Sequence, residues 1–492
     1  MSKKLLSVIG AVLVVLLAYV ALAWYCGKGY QQQAQQDMEK INGLFAQALS
    51  DRGLPDAQLK VRQTEFKRGI FSSEARYVMT GANEEEGIPV VAKIQHGPFV
   101  GARLARYQAV YDLENVPSTN LLFKLTEGKS PLTVKMRESF TNAVAIEASM
   151  PPINLTKDGE QTVFSGLTIK ADSDRDMSFF KGKLNMDSFA LTSGYHQLKV
   201  TGWDADFDLK SSGNYFTGDS NSTVKSINYN GLMEIILDTI KLNSDSKDVA
   251  ALNNSKMTLN IASLNVNKQD FGSLQWDTKV DNLDMNVYQK IADDVRQYSA
   301  LSWAEEERRS AMQRNIADNV RTLLAAKPVL TIDPLAWKTP AGTSTASLTV
   351  NFKAPAGEID FNRIPDWQEV VEAIVYKSDL SKSMLLDVNS KVMQIGGMDA
   401  ETAKGEAQRL IEQYTRPNIE NGIMVESANS YTTDIRYQAG MINVNGKNMS
   451  VEEFIMLGQK PTAEELAASE AAAMADETAA DTVSPEAFEA VQ

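Results

Sequence analysis

Residues able to do chemistry are few in this chain, and their spacing excludes most of what they could do. There are two histidines, His96 and His196, and one cysteine, Cys26, too few for a His/Cys zinc site. The sequence holds no G-x-S-x-G elbow, no phosphate-binding Walker loop, no G-x-G-x-x-G and no H-E-x-x-H. A carboxylate-only cation site is what remains. Asp172, Asp174 and Asp176 have the D-x-D-x-D opening of a calcium loop, yet Met177 stands where that loop needs glycine and Lys183 where it needs a bidentate acid. Asp204, Asp206 and Asp208 alternate with Trp203, Ala205 and Phe207, the pattern of the wet face of a strand. His96 shares a face with Ile94 and Ala92 and is followed by Gly97-Pro98-Phe99, which reads as a structural histidine closing a strand. On this evidence the chain is no enzyme, with no catalytic, cofactor-binding or metal-ligating residues and no cofactor.

The element that would position everything else is the uncharged apolar run Leu5 to Gly27, held between Lys3-Lys4 and Lys28. About 20 apolar residues in helical form match a bilayer's hydrocarbon core, and lysines ahead of the run would hold the N-terminus in the cytoplasm. Residues 1–27 are therefore expected to form a cytoplasmic tip and a single transmembrane anchor, with the bulk periplasmic. The run exceeds the roughly 7–15 residues of a signal-peptide core, which favours an uncleaved anchor over cleavage at Ala21-Leu22-Ala23. Tyr25 before Cys26 is too large for a lipoprotein signal, and the cysteine reads as chemically idle.

Residues 28–53 carry Met38, Ile41, Phe45, Ala48 and Leu49 at helical spacing and predict a helical stalk ending at Gly53-Leu54-Pro55. Over 54–281 the period changes to two. Ala75, Tyr77 and Met79 alternate, a polar turn follows at Asn83 to Gly87, and Val90, Ala92, Ile94 and His96 alternate on the return. The same grammar recurs in short runs such as Leu198/Val200, Trp203/Ala205/Phe207/Leu209, Leu259/Ile261 and Leu264/Val266. Strands apolar on one side need a cover, so the sheet is expected to form a groove, a sandwich or a barrel.

Residues 282–328 predict two helices joined near Ser299 to Ser302, with Glu305 paired to Arg309. Over 329–458 a smaller α+β part is expected, with helices at about Trp367 to Tyr376 and Glu401 to Tyr414. It ends in a strand closed by Asn445-Gly446 and a capping box, Ser450 with Glu453. The fold class is thus α+β, predominantly β. Residues 459–492 form an acidic Ala/Glu-rich tail that cannot bury enough surface to fold alone.

The net charge of −14 is concentrated there: eight acids and no base follow Pro461, leaving −6 for the rest. Without a basic stripe, nucleic acid is excluded as a partner.

The runs Arg68-Gly69-Ile70-Phe71-Ser72-Ser73, Ile94-Gln95-His96-Gly97-Pro98-Phe99 and Gly440 to Lys447, following an N-terminal apolar run, resemble the YdgA-like family of Gram-negative bacteria. The resemblance extends to about Gly458 and marks Arg68, Gly69, Phe71, Ser73, His96, Gly97, Pro98, Asn445 and Gly446 as motif residues. It implies inner-membrane anchoring, a periplasmic body and no known activity. The expectation is a tethered periplasmic protein whose apolar sheet face binds a lipid or an envelope protein. The alternative is an assembly module that self-associates through the stalk and the helix pair into a homo-oligomer.

Overall fold

The computed structural model describes residues 3–51, 59–81, 87–101, 103–213, 215–302, 305–357 and 367–459, with side chains described from Ala18 onward except at 37, 44–51, 300, 458 and 459. The turn expected at Asn83 to Glu86, the stalk's Gly53-Leu54-Pro55 stop and the acidic tail lie outside the described residues. The chain forms two compact units, Met1–Pro340 with Asn351–Val371 and Ala341–Val350 with Glu372–Gln492.

The first unit is one antiparallel meander. Its strands are β1 Lys60–Arg68, β2 Ser72–Thr80, β3 Ile88–His96, β4 Tyr107–Leu113, β5 Thr133–Glu138, β6 Ala143–Met150, β7 Ile153–Lys157, β8 Glu160–Phe164, β9 Leu167–Asp174 and β10 Phe179–Ser193. It continues through β11 His196–Ser212, β12 Tyr215–Asn230, β13 Glu234–Val249, β14 Leu252–Val266, β15 Ser273–Leu283 and β16 Val329–Thr339. Each strand pairs with the next except at β6–β7 and β8–β9: there β6 pairs with β9, the β7–β8 hairpin extends that pair, and β10 meets both β8 and β9. No pairing joins β1 to β16 among the described residues, so the sheet is open and the barrel alternative is set aside.

The short alternating runs prove to be halves of long strands. Met186, Trp203, Val224, Ile240 and Ile261 stand opposite one another, and so do Phe189, Val200, Ile227, Leu237 and Leu264, three residues further along each strand. A step of three in a regular strand changes face. Between the two rows lie Gly202 and Thr239, with φ of +61° and +50°, and the ladder is interrupted there. This crease resets the pleat, which is why the sequence shows a phase slip where the structure has one strand.

Helix α1, Lys3–Asp51, is continuous, but it is no free-standing stalk. Ala23, Cys26, Tyr30 and Ala34 recur at spacings of three and four on one helical face and are buried. Tyr30 and Ala34 join Ala75, Tyr77, Ala92, Ile94, Tyr107 and Ala109 in the core of the unit. Alanines on β2, β3 and β4 let the helix approach closely. The Tyr30 ring meets Tyr107 edge-on at 4.7 Å, and its hydroxyl lies 2.8 Å from that of Tyr111; burial of such a ring contributes roughly 2 kcal/mol. Beside it Glu138 is buried, with Arg106 Nη1 at 3.3 Å and Arg175 Nε at 3.9 Å; Arg175 also donates to Gln33 on the helix at 2.5 Å.

The single-pass inner-membrane placement is therefore corrected. Among the described residues no helix is long and apolar enough to cross a membrane. The last part of the apolar run instead packs against protein at Ala23 and Cys26, and polar residues follow from Gln31. The side chains of Leu5 to Leu17 fall outside the described residues.

Helices α2 Met285–Ala300 and α3 Glu306–Ala325 form the expected pair between β15 and β16. Asp284 caps α2 by accepting from Val287 N at 3.1 Å. Glu305 pairs with Arg308 at 2.6 Å, and the Arg309 guanidinium lies over the Tyr298 ring and donates to its hydroxyl at 2.9 Å.

In the second unit, helix expected across Trp367 to Tyr376 is mostly strand. Val371, Ala373 and Val375 alternate in β17 Val371–Ser381, which pairs with β18 Ser430–Gln438. Helix α4 Lys382–Ile395 was not anticipated, while α5 Ala400–Glu420 lies where a helix was expected. Strands β19 Met441–Val444 and β20 Lys447–Ser450 close around Asn445-Gly446, and α6 Val451–Gln459 starts from the predicted capping box: Ser450 N donates to Glu453 at 2.7 Å and Glu453 N to Ser450 at 3.1 Å.

Candidate functional site

Seven of the nine motif residues converge on the middle of α1, at Tyr19 to Gly27. His96 closes β3 and is 2 % exposed. Its Nδ1 lies 3.1 Å from the carbonyl oxygen of Ala23, and its Nε2 lies 2.9 Å from Ser73 Oγ. A carbonyl only accepts, so Nδ1 carries the proton and Nε2 accepts from the serine hydroxyl. Gly27 exists for this ring, since a Cβ there would stand 2.6 Å from His96 Cε1. Gly97, at φ +135°, turns the chain beneath Ala23, whose Cβ is 3.3 Å from where a side chain would begin. Gly69 N donates to Ser72 O at 2.8 Å, the carbonyl of Phe71 accepts from His96 N at 2.9 Å, and that of Pro98 accepts from Ala105 N at 3.2 Å. Arg68 lies over the Trp24 ring at 5.2 Å, and Phe71 stacks near Tyr19 at 5.8 Å.

Ser73 and His96 have the hydrogen-bond distance of a nucleophile and its base. The helix covers both, however, and the third partner is a backbone carbonyl where a triad would place a carboxylate. What this arrangement does chemically is hold a helix. Burial pushes the imidazole below its ordinary value, because a charged ring would be poorly solvated there.

Asn445 and Gly446 lie elsewhere, in the second unit. Asn445 at φ +49° accepts from Asp434 N at 2.8 Å and donates to the carbonyls of Gly422 and Ile423 at 2.9 and 3.0 Å. They position a turn.

The carboxylates form no coordination shell. Asp174 accepts from Ser178 N at 2.8 Å and from its hydroxyl, which holds its carboxyl below the usual range, and Asp176 faces Lys40 at 3.8 Å. Asp204, Asp206 and Asp208 meet Asn185, Asn221 and Lys181 across the polar face. Among the described residues no group of three or more His, Cys, Asp or Glu could hold a metal ion.

The feature that single-sequence reasoning missed is a register, not a motif. One row of directly opposed residues crosses fourteen strand segments: Phe66, Ala75, Ala92, Tyr111, Val134, Ala148, Ile169, Leu184, Ala205, Ser222, Leu242, Leu259, Trp276 and Leu335. Ser222 is the sole polar member, and its Oγ accepts from the indole N–H of Trp203 at 3.0 Å. Under α1 the row is sealed, with Ala75 and Ala92 at 1 % and 0 %; toward the other end Leu242, Trp276 and Leu335 are 41 %, 38 % and 38 % exposed. The alternation in each strand was legible, but only strand pairing aligns the strands into a continuous strip.

A family described as "Bacterial protein of unknown function (DUF945)" matches residues 1–452. Among curated proteins the chain is similar to "Protein YdgA" of Escherichia coli K12, 22 % identical over 94 % of this chain and 97 % of that protein. It is likewise similar to "Uncharacterized protein YihF" of the same strain, 22 % identical over 91 % of this chain and 98 % of that one. An "Uncharacterized protein" of Haemophilus influenzae is 23 % identical over 40 % of this chain and 52 % of its own length. No solved structure matches.

Proposed function

The chain belongs to the DUF945 family of bacterial proteins of unknown function, and we propose that it acts by binding, not by catalysis, laying the acyl chain of a lipid-like amphipath along the apolar face of its meander. What carries the reading is the stretch Leu242–Leu259–Trp276–Leu335, four adjacent strands presenting large apolar side chains in register, of which Leu242, Trp276 and Leu335 are exposed and Leu259 is partly buried between them. Contiguous exposed apolar surface of this kind marks an interaction site. An extended hydrocarbon suits a strip of one residue's width repeated at the strand spacing of about 4.8 Å. The opposite face of the same strands carries Asp208, Asp219, Asp245, Lys256 and Lys279 in a comparable row, so only one face can take an apolar ligand.

The reading is tested by purifying the full chain under native conditions, extracting bound lipid for mass spectrometry, and titrating a fluorescent fatty acid. Stoichiometric lipid, and uptake that Trp276→Glu reduces by about tenfold, are expected. A protein free of lipid that takes up no probe overturns it, as does uptake indifferent to Trp276→Glu. Co-purification of a stoichiometric protein in place of lipid would show that the strip serves a polypeptide.

A further inference from the structure

A second apolar surface, separate from the strip, surrounds the middle of α1. Trp24 and Tyr25 stand out from the helix, Ile70 and Phe71 from the turn between β1 and β2, and Phe99 and Leu104 from the short hairpin that follows β3; all six are 44–70 % exposed. They are held as a group. Ile70 lines one concavity with Trp24 and Tyr25, the Tyr19 hydroxyl donates to Phe99 O at 3.4 Å, and Phe99 is paired directly with Leu104.

Cations predominate around this collar. Lys28 and Arg68 lie 5.8 and 5.2 Å from the Trp24 ring centre, and Arg103 pairs with Val100 in the same hairpin. Across residues 17–30, 67–73 and 96–107, which build the collar, there are five cations and no acid; Lys67 and Arg106 pair with Glu65 and Glu138 outside these stretches, so the rim's charge rests on Lys28, Arg68 and Arg103. Aromatic rings and apolar tips rimmed by Lys and Arg suit the headgroup boundary of a bilayer with anionic lipid, where rings sit at the polar–apolar transition and cations meet phosphates. The core of a protein–protein interface is, by contrast, depleted in charge.

We propose that this collar docks on an anionic lipid surface, with the tips of the two hairpins inserted at headgroup level. The contact is made by hairpin tips and one helical turn and requires no helix that crosses the bilayer. It shares no residue with the apolar strip, so either proposal can fail alone.

The sole cysteine, Cys26, is buried, which makes single-site labelling practical in the full chain. Phe99→Cys carries an environment-sensitive fluorophore at the collar; Asp187→Cys carries it on the exposed side of β10, with unchanged unfolding midpoints as the control for folding. On adding phosphatidylglycerol-containing vesicles, the position-99 label is expected to shift to the blue and to be quenched by brominated lipid, while the position-187 label stays unchanged. Arg68→Glu combined with Arg103→Glu should weaken partitioning about tenfold, as should vesicles of phosphatidylcholine alone. Equal responses at 99 and 187, no response at 99, or partitioning indifferent to both charge tests would each overturn the proposal.

Discussion

His96 Nδ1 donates a hydrogen bond of 3.1 Å to the carbonyl oxygen of Ala23, across 73 residues of sequence. A long-range polar link between α1 and the sheet thus passes through the histidine of the conspicuous Ile94–Phe99 run, and the ring fills the space that Gly27 leaves open. Substitutions on either side of this contact should loosen the helix without touching the distant strands. Gly27→Ala forces a methyl into the imidazole and should cost about 1–3 kcal/mol. His96→Ala leaves a cavity and a stranded Ser73 hydroxyl and should cost roughly 2–4 kcal/mol. Denaturant unfolding followed by hydrogen exchange would check both: faster exchange in β2, β3 and α1 with β13 to β15 unchanged is the expected pattern, and uniform change would contradict it.

The same ring should make stability depend on pH. A histidine whose folded pKa is depressed binds fewer protons in the folded than in the unfolded state, so stability rises with pH. Its contribution is whole above about pH 6.5, the unfolded value, and is lost as pH falls from there through the lower folded value. Urea midpoints measured from about pH 8 down to about pH 5 should fall for the wild type and flatten for His96→Gln. Asp174, Asp399 and Asp434, whose carboxyls are held low by Ser178, Thr402 and Arg436 respectively, lose their contributions only at more acid pH. A slope that His96→Gln leaves unchanged would assign the effect to other groups.

Along the apolar row, the two ends should respond oppositely to substitution. Ala92 is sealed beneath α1, so Ala92→Leu overpacks the core at a cost of about 1–3 kcal/mol with no effect on a lipophilic probe. Leu335 is exposed by more than a third, so Leu335→Asp should cost less than about 1 kcal/mol and reduce probe uptake several-fold. Thermal melts and fluorescent fatty-acid titrations on the two variants give the comparison.

The free edge of the sheet at β1 is guarded from the helix. Asn42 Nδ2 donates to Val61 O at 3.0 Å, and Asn42 Oδ1 accepts from Val61 N at 2.7 Å, so one amide side chain takes the place of a neighbouring strand. Asn42→Leu leaves both backbone groups unpaired at a cost of about 1–3 kcal/mol and uncovers an edge prone to pair with another chain. Light scattering under mild heating should rise for Asn42→Leu and recover in Asn42→Gln if the longer amide reaches Val61; scattering equal to wild type would show the edge needs no guard.

Much of this protein was legible in its residues. The alternation of Ala75, Tyr77, Ala92, Ile94 and His96 specified a hairpin and its buried face, because a two-residue period leaves no choice of side. The stripes in Met285–Ala300 and Glu306–Ala325 specified a helix pair, and Ser450 with Glu453 specified where the last helix starts. The sequence alone also determined which family the motif residues resemble, since a motif is a local pattern. Tertiary structure decided the rest. Whether Ala23 and Cys26 face lipid or protein depends on what packs beside them, and apolar composition is the same in either case. Whether Leu198/Val200 and Trp203/Ala205 are two strands or one creased strand depends on a single left-handed residue. The continuous row from Phe66 to Leu335 exists only because thirteen pairings align, and each register is set between strands, where no single stretch of sequence records it.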